Sequence, residues 1–226
     1  MNIAVIGAGA AGLMAAARAA IAARQAGIAC RVVVLEKNRK AGVKILMSGG
    51  TRCNLTHDCG PAGIMEAFGK GGQFLRQALA ALPPSQVVAL FHSLGVPTQI
   101  EATGKIFPSS NRALDVRDAL LGYAERSGAE VRLATPVRGI VPEPAGDGIV
   151  VSTDEAQEKF DAVIVTAGAD SIPPALVEQL RTGGRLVIPV DTGWGQDLRV
   201  CIKEADGSLR ERTVLPVIFV PLVGRR

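Results

Sequence analysis

The chain opens on a short apolar run, Asn2 to Ile6, followed by Gly7-x-Gly9-x-x-Gly12. An Ala-rich stretch to about Gln25 comes next, then a second apolar run, Arg31 to Leu35, that ends in Glu36. Runs this short and this continuous predict strands buried on both faces, and the longer stretch between them predicts a helix. Gly27 suits the C′ position of that helix, where a left-handed backbone is cheap for glycine. Residues 83–97 alternate as a short amphipathic helix, with Ser85 as N-cap and Gly95 and Pro97 as stops. "TQIEATGKIFPSS" predicts a hairpin around Thr103-Gly104, and residues 113–128 a longer helix closed by Gly128. Three strand candidates come after it, "EVRLA", "VRGIVPE" and "GIVVST", and then a buried strand over 160–169 that ends in small residues. The last part predicts a helix at "ALVEQL", a strand at "RLVIPV", and an antiparallel pair, "DLRVCIKE" with "RTVLPVIFVPL".

The beginning reads as strand, glycine turn, helix, strand, acid. Each glycine has a mechanical reason. Gly7 allows the tight turn, Gly9 lets a pyrophosphate approach the backbone, and Gly12 lets the helix sit close to the strand. The helix N-terminus offers free N–H groups and a positive dipole end. A carboxylate at Glu36 can accept both ribose hydroxyls and repels a 2′-phosphate, which favours FAD or NAD over NADP. The alternative is a glycine turn with no ligand. The order of elements predicts an α/β fold: a Rossmann-like, doubly wound and mostly parallel sheet, with a small β-meander insertion and an antiparallel C-terminal edge.

"GVKILMSGGTRCNLTH" (42–57) carries a second candidate loop. Ser48, Gly49 and Gly50 are permissive, Lys44 and Arg52 bring positive charge, and Asn54 and Thr56 add polar side chains. Such a loop can lay backbone N–H groups against a phosphate or the edge of a flavin ring. An ordinary surface loop is the alternative.

Composition narrows the classes. The chain has 226 residues, 48% of them apolar and only 4% aromatic, which suits aliphatic helices on a parallel sheet. No apolar run reaches the roughly 18 residues of a membrane span, and no secretory signal is visible, so a cytoplasmic protein is expected. The net charge of +4 is scattered apart from "EKNRK" (36–40) and the terminal Arg225 and Arg226. No aromatic platform accompanies it, so a nucleic-acid partner is not expected. The 4 cysteines form no regular framework. Cys53, His57 and Cys59 lack the second pair of ligands that a structural zinc needs, so no metal is expected. His92 reads as a helix-face residue.

The opening, together with "LEKNRKAGVKILMSGGTRCNLTH" and "GKIFPSSNRALDVRDALLGYAERSGAEVRLATPVRGI", resembles the bacterial flavoproteins called YhiN-like or BaiN-like, also labelled aminoacetone-oxidase-like. The resemblance covers about residues 1–168. It implies an FAD-dependent oxidoreductase with a Rossmann FAD domain, with NAD(P)H as a possible electron donor. It implies that Gly7, Gly9, Ala11 and Gly12 line the pyrophosphate and that Glu36 and Lys37 sit at the ribose. Lys44, Ser48, Gly49, Gly50, Arg52, Cys53 and Asn54 would border the flavin, Val137 the adenine, and Ala167 with Gly168 a small-residue turn at the cofactor. The family writes three glycines in the second loop, where this chain has Thr51 in the third place. No catalytic acid, base or nucleophile is named by the sequence.

Residues 160–224 resemble a different family, the C-terminal third of protein-L-isoaspartate O-methyltransferases. Asp161, "IPPALVEQL", "GGRLVIPV", the Gln196 loop, the Asp206-Gly207 hairpin and "FVPLVG" match that family in order. That family's acidic-Gly-x-Gly-x-Gly motif for S-adenosylmethionine is absent as the family writes it, and so is the usual flavoprotein substrate lobe. The expected organisation is an FAD-type domain over 1–168, with 169–226 completing the sheet. A protein-repair methyltransferase using S-adenosylmethionine and an inactive, self-associating nucleotide-binding remnant are the alternatives.

Overall fold

A computed structural model describes residues 1–142, 148–166, 171–172, 174–178, 180, 182–183 and 185–217. In chain order the first elements are β1 (Asn2–Ile6), α1 (Ala10–Gln25), β2 (Arg31–Leu35), α2 (Val43–Met47), β3 (Thr56–His57) and α3 (Pro61–Ala67). A 3₁₀ turn at Gly69–Leu75 leads to α4 (Arg76–Ala81), α5 (Pro84–Ser93), β4 (Thr98–Ile100), β5 (Lys105–Pro108) and α6 (Ala113–Arg126). Then come β6 (Ala129–Arg132), β7 (Val137–Pro142), β8 (Ile149–Thr153), β9 (Gln157–Phe160) and β10 (Ala162–Val165). The tail holds α7 (Pro174–Glu178), β11 (Arg185–Asp191), β12 (Gln196–Lys203) and β13 (Leu209–Val217). The chain divides into two compact units, Met1–Lys40 with Glu125–Arg226, and Ala41–Ala124.

In the first unit a parallel sheet runs β10-β1-β2-β6. From Val32 to Leu35 every side chain of β2 is buried, as a strand covered on both faces requires. Leu13, Ala16 and Ala17 of α1 are fully buried at helical spacing, and their small side chains suit close packing on strands. The helix ends in a Schellman motif: Gly27 is left-handed (φ 67), and Ile28 N–H donates to Ala23 O at 2.9 Å. The opposite cluster joins Ala4, Val33 and Leu35 to Val151 and Phe160 of the meander β7-β8-β9. That meander is the predicted insertion. "EVRLA", however, is not part of it. β6 joins the parallel sheet beside β2.

The strand expected over 160–169 is split. Phe160 closes β9, and Asp161 brackets the start of β1, with its N–H donating to Asn2 O at 2.8 Å and its carboxylate accepting from Asn2 N–H at 2.6 Å. β10 then pairs with β1. The reason is local: two bonds to Asn2 turn the chain from meander to sheet at a single residue. Residues 167–169 of that expectation lie outside the described residues.

The tail was expected to extend the parallel sheet. The predicted antiparallel pair forms as β12 with β13, but β11 pairs antiparallel with β12, and the three strands make a sheet of their own among the described residues. β11 is paired over all seven of its residues with β12 and forms an edge of this sheet. Ile188, Val190 and Cys201 are buried in this part, with Ile172, Leu176 and Leu186 packed against Ile188 and Val190.

In the second unit α5 begins at Pro84, with Pro83 as N-cap, so Ser85 lies inside the helix rather than capping it. Proline presets the φ of a first helical turn and lacks the N–H that a cap would satisfy. The hairpin forms as β4 with β5 around Gly104, at φ 78. Gly128 comes after α6 in a positive-φ conformation, as expected. Among the described residues no helix is long and apolar enough to cross a membrane.

Arg31, Glu130, Arg132 and Glu158 form a network across β2, β6 and β9, with Arg132 bonded to both carboxylates and Arg31 at 3.0 Å from Glu130 and 3.2 Å from Glu158. Hydrogen bonds from Arg132, and less from Arg31, hold both carboxyls below the usual carboxylate range. A group with a depressed folded pKa stabilises above its unfolded pKa, and that contribution is lost as pH falls. Stability is therefore expected to drop below about pH 4, and Glu158→Gln to flatten that drop in urea titrations at stepped pH. Phe160→Ala removes a fully buried ring and is expected to cost about 3–5 kcal/mol in the same assay.

Candidate functional site

The glycine turn sits at the C-terminal end of β1. Gly7 has φ 101, and its N–H donates to Leu35 O at 2.8 Å. A Cβ on Gly12 would lie 1.9 Å from Gly7 O, and one on Gly7 would lie 2.8 Å from Thr166 Oγ1. Both glycines are thus required by the protein itself. Gly9 differs, because nothing lies within 4 Å of where its Cβ would be. It is the N-cap of α1 and no side chain caps that helix end. Ala11, in the first turn, is exposed. An open backbone face and an uncapped 16-residue helix meet at Gly9. This is the arrangement that accepts a phosphate.

Glu36 is only 7% exposed. Its Oε2 accepts from Ala8 N–H at 2.7 Å, and its Oε1 from Asn38 N–H at 2.9 Å and Asn38 Nδ2 at 2.6 Å. A carboxylate has about four acceptor sites. Three are filled, so one site on Oε2 is left, and the expectation of two ribose hydroxyls on this carboxylate is reduced to one. Lys37 is exposed beside it. Thr135 N–H donates to Glu36 O, and Ala134 N–H to Asn38 O, which brings the chain leading to Val137 against the same end of β2. The side chain of Val137 itself packs on the meander core. Ala167 and Gly168 lie outside the described residues. Their neighbour Thr166 closes on the glycine turn, with its N–H and its hydroxyl both donating to Ile6 O. Thr166 and Asn38 carry no role in the sequence analysis; for Asn38 the signal is its place two residues after Glu36 in "EKNRK".

The second loop, in the other unit, is a left-handed turn. Gly49, Gly50 and Thr51 have φ of 56, 65 and 69, and Cys53 has φ 64. Cys53 N–H donates to Ser48 O at 3.1 Å, and Ala113 N–H to Thr51 O at 2.9 Å. Arg52 pairs with Glu101, and its guanidinium lies 4.1 Å over the Phe107 ring. The charge expected to face a ligand is thus partly answered by Glu101. Lys44, Gly49, Gly50 and Asn54 are exposed, while Ser48 bonds back to Ile45 O at 2.8 Å. Cys53 is buried, and burial pushes its thiol up, against a smaller lowering from Ser48. It is a packed thiol at neutral pH.

His57 and His92 line a cavity of about 630 Å³ beside α5. His57 Nε2 donates to Thr103 O at 2.8 Å, and His92 Nε2 accepts from Thr98 N–H at 3.3 Å. Both rings hold the β4–β5 hairpin and its approach. Among the described residues no group of three or more His, Cys, Asp or Glu is placed to hold a metal.

Residues 1–177 match the HI0933-like protein Rossmann domain. The chain belongs to this family. Its Rossmann domain shares a fold with the open conformation of a flavocytochrome c3 fumarate reductase, at 21% identity and a TM-score of 0.51, over 78% of this chain and 35% of that one. A second likeness is to protein-L-isoaspartate O-methyltransferases. The Polaromonas sp. enzyme 2 is 48% identical over 73 residues, covering 32% of this chain and 35% of that protein. The Pyrococcus horikoshii enzyme is 52% identical over 67 residues, covering 29% and 30%. The chain spans about a third of the length of these curated relatives. Each matched stretch is longer than the part of the chain beyond residue 177, so it shares residues with the HI0933-like Rossmann domain.

Thr51 is strained. A β-branched residue in the left-handed region costs about 1–2 kcal/mol, against about 0.5–1 kcal/mol of extra chain entropy lost by glycine. The first term wins. Thr51→Gly is expected to stabilise the protein by about 0.5–1 kcal/mol, read as a raised midpoint in urea denaturation. An unchanged or lowered midpoint would show the turn to be relaxed.

Proposed function

We propose that this chain is the FAD-binding domain of a flavoprotein oxidoreductase, with residues 1–168 as the nucleotide-binding part and 169–226 as a methyltransferase-like addition. The observation that carries the reading is Gly9: a glycine whose missing Cβ the protein does not need, at an uncapped helix N-terminus. Gly7 and Gly12 have steric reasons inside the protein to be glycine, whereas the space at Gly9 is open to a ligand. FAD, when bound, supplies the electron and hydride transfer, with NAD(P)H as a candidate donor. The chain's own residues do the holding. The α1 N-terminus and the Gly7–Gly12 backbone favour a pyrophosphate, and Glu36 has one site for a ribose hydroxyl. The 48–54 loop, Lys37, Val137, Ala167 and Gly168 enter the proposal on the family resemblance alone.

A second reading has an observation of its own, the 48% identity over 73 residues to a protein-L-isoaspartate O-methyltransferase. In that reading the same turn would serve S-adenosylmethionine. That cofactor has no pyrophosphate, so the open backbone at Gly9 would have no anion to meet. The flavin reading is therefore preferred.

The test uses three proteins. Wild type is expected to retain flavin absorbance after FAD is added and the sample desalted. Gly9→Val is expected to lose it while melting above Gly12→Ala, because a Cβ at Gly9 meets nothing within 4 Å and the remaining loss is only valine's poorer N-capping of α1. Gly12→Ala is expected to lower the melting temperature, since its Cβ runs into Gly7 O. Equal FAD retention in wild type and Gly9→Val would remove the glycine turn from the site. Calorimetric binding of S-adenosylmethionine without FAD binding would move the second reading to first place.

A further inference from the structure

Glu36 alone does not explain the shape of the glycine loop. Its carboxylate turns about a broad, roughly two-fold terminal torsion. One donor, the Ala8 N–H, would leave that torsion loose. Asn38 supplies two donors to the opposite oxygen, at 2.9 and 2.6 Å, from its main chain and its side chain. They fix the plane of the carboxylate and so aim Oε2 at the Ala8 N–H, 2.7 Å away. Ala8 is fully buried between Gly7 and Gly9, so its N–H has no easy recourse to water. Asn38 is itself held, because its carbonyl accepts from Ala134 N–H at 2.9 Å. Its side chain is otherwise exposed, so no core packing depends on it.

We propose that Asn38 is a positioning residue that acts through Glu36, presetting the phosphate-binding turn in the nucleotide-free protein. Its hydrogen bonds go to Glu36 and to Ala134 N–H. Its main-chain and side-chain N–H groups hold Oε1, Oε2 holds the Ala8 N–H, and Ala8 lies within the glycine turn. The same clamp leaves Glu36 a single open acceptor site, and that site lies on the oxygen nearest the loop. The binding half of this inference rests on the nucleotide reading above; the loop half does not.

The experiment compares wild type with Asn38→Ala, Asn38→Asp and Asn38→Ser. Amide exchange at Ala8 is monitored by NMR without nucleotide, and ADP affinity by calorimetry. Asn38→Ala is expected to speed exchange at Ala8 about tenfold, in line with loss of a hydrogen bond to a charged group. Asn38→Asp replaces a donor with a second carboxylate, so it is expected to be at least as damaging although it is nearly isosteric. Asn38→Ser keeps a short donor and is expected to recover part of the protection. A residue that merely filled space would give the reverse order, with Asp close to wild type. ADP affinity is expected to fall in the order of the exchange rates, by about the same factor. Exchange at Ala8 in Asn38→Asp as slow as in wild type would overturn the proposal. Wild type that binds no ADP while the exchange order holds would overturn the nucleotide reading and leave the positioning role intact.

Discussion

The buried carboxylate of Glu36 is the contact on which the candidate nucleotide end of the sheet depends. A charge this far out of water is tolerable only when its oxygens are hydrogen-bonded. Here the donors come from two places in the chain, Ala8 in the glycine loop and Asn38 after β2. The backbone of Glu36 adds two more links, donating to Arg132 O and accepting from Thr135 N–H. One residue thus gathers the loop after β1, the end of β2 and the chain leaving β6. The turn geometry at Gly7 and the close approach at Gly12 are set against this fixed point.

The second unit solves a related problem by different means. Its loop has no buried acid to organise it. A run of left-handed residues, a guanidinium over Phe107 and the Arg52–Glu101 pair take that part. The conformational demand falls on Thr51 and Cys53, residue types that adopt positive φ reluctantly. Such strain persists only where surrounding bonds over-determine it, and Ala113 N–H to Thr51 O and Cys53 N–H to Ser48 O are of that kind.

The tail brings a third arrangement. Two family likenesses overlap in sequence. β10 belongs to the parallel sheet, paired with β1, while β11 to β13 form a separate antiparallel sheet with its own small core. Among the described residues β10 and β11 are thus edge strands of separate sheets.

The local periodicities were legible in the amino-acid sequence. The strand-glycine-helix-strand-acid order determined β1, α1 and β2, because the runs, the Schellman glycine and the buried valines are local in pattern. The helix over 113–126 and the Thr103-Gly104 hairpin were legible for the same reason. Tertiary structure decided what depends on distant partners. It placed β6 beside β2 rather than in the meander, divided the 160–169 run at Asp161, and kept the tail in a sheet of its own. It also decided which atoms of Glu36 are free, since a carboxylate's available lone pairs are counted only once its donors are known. Short apolar runs look alike in sequence. Which neighbour satisfies their backbone groups is a property of the folded chain.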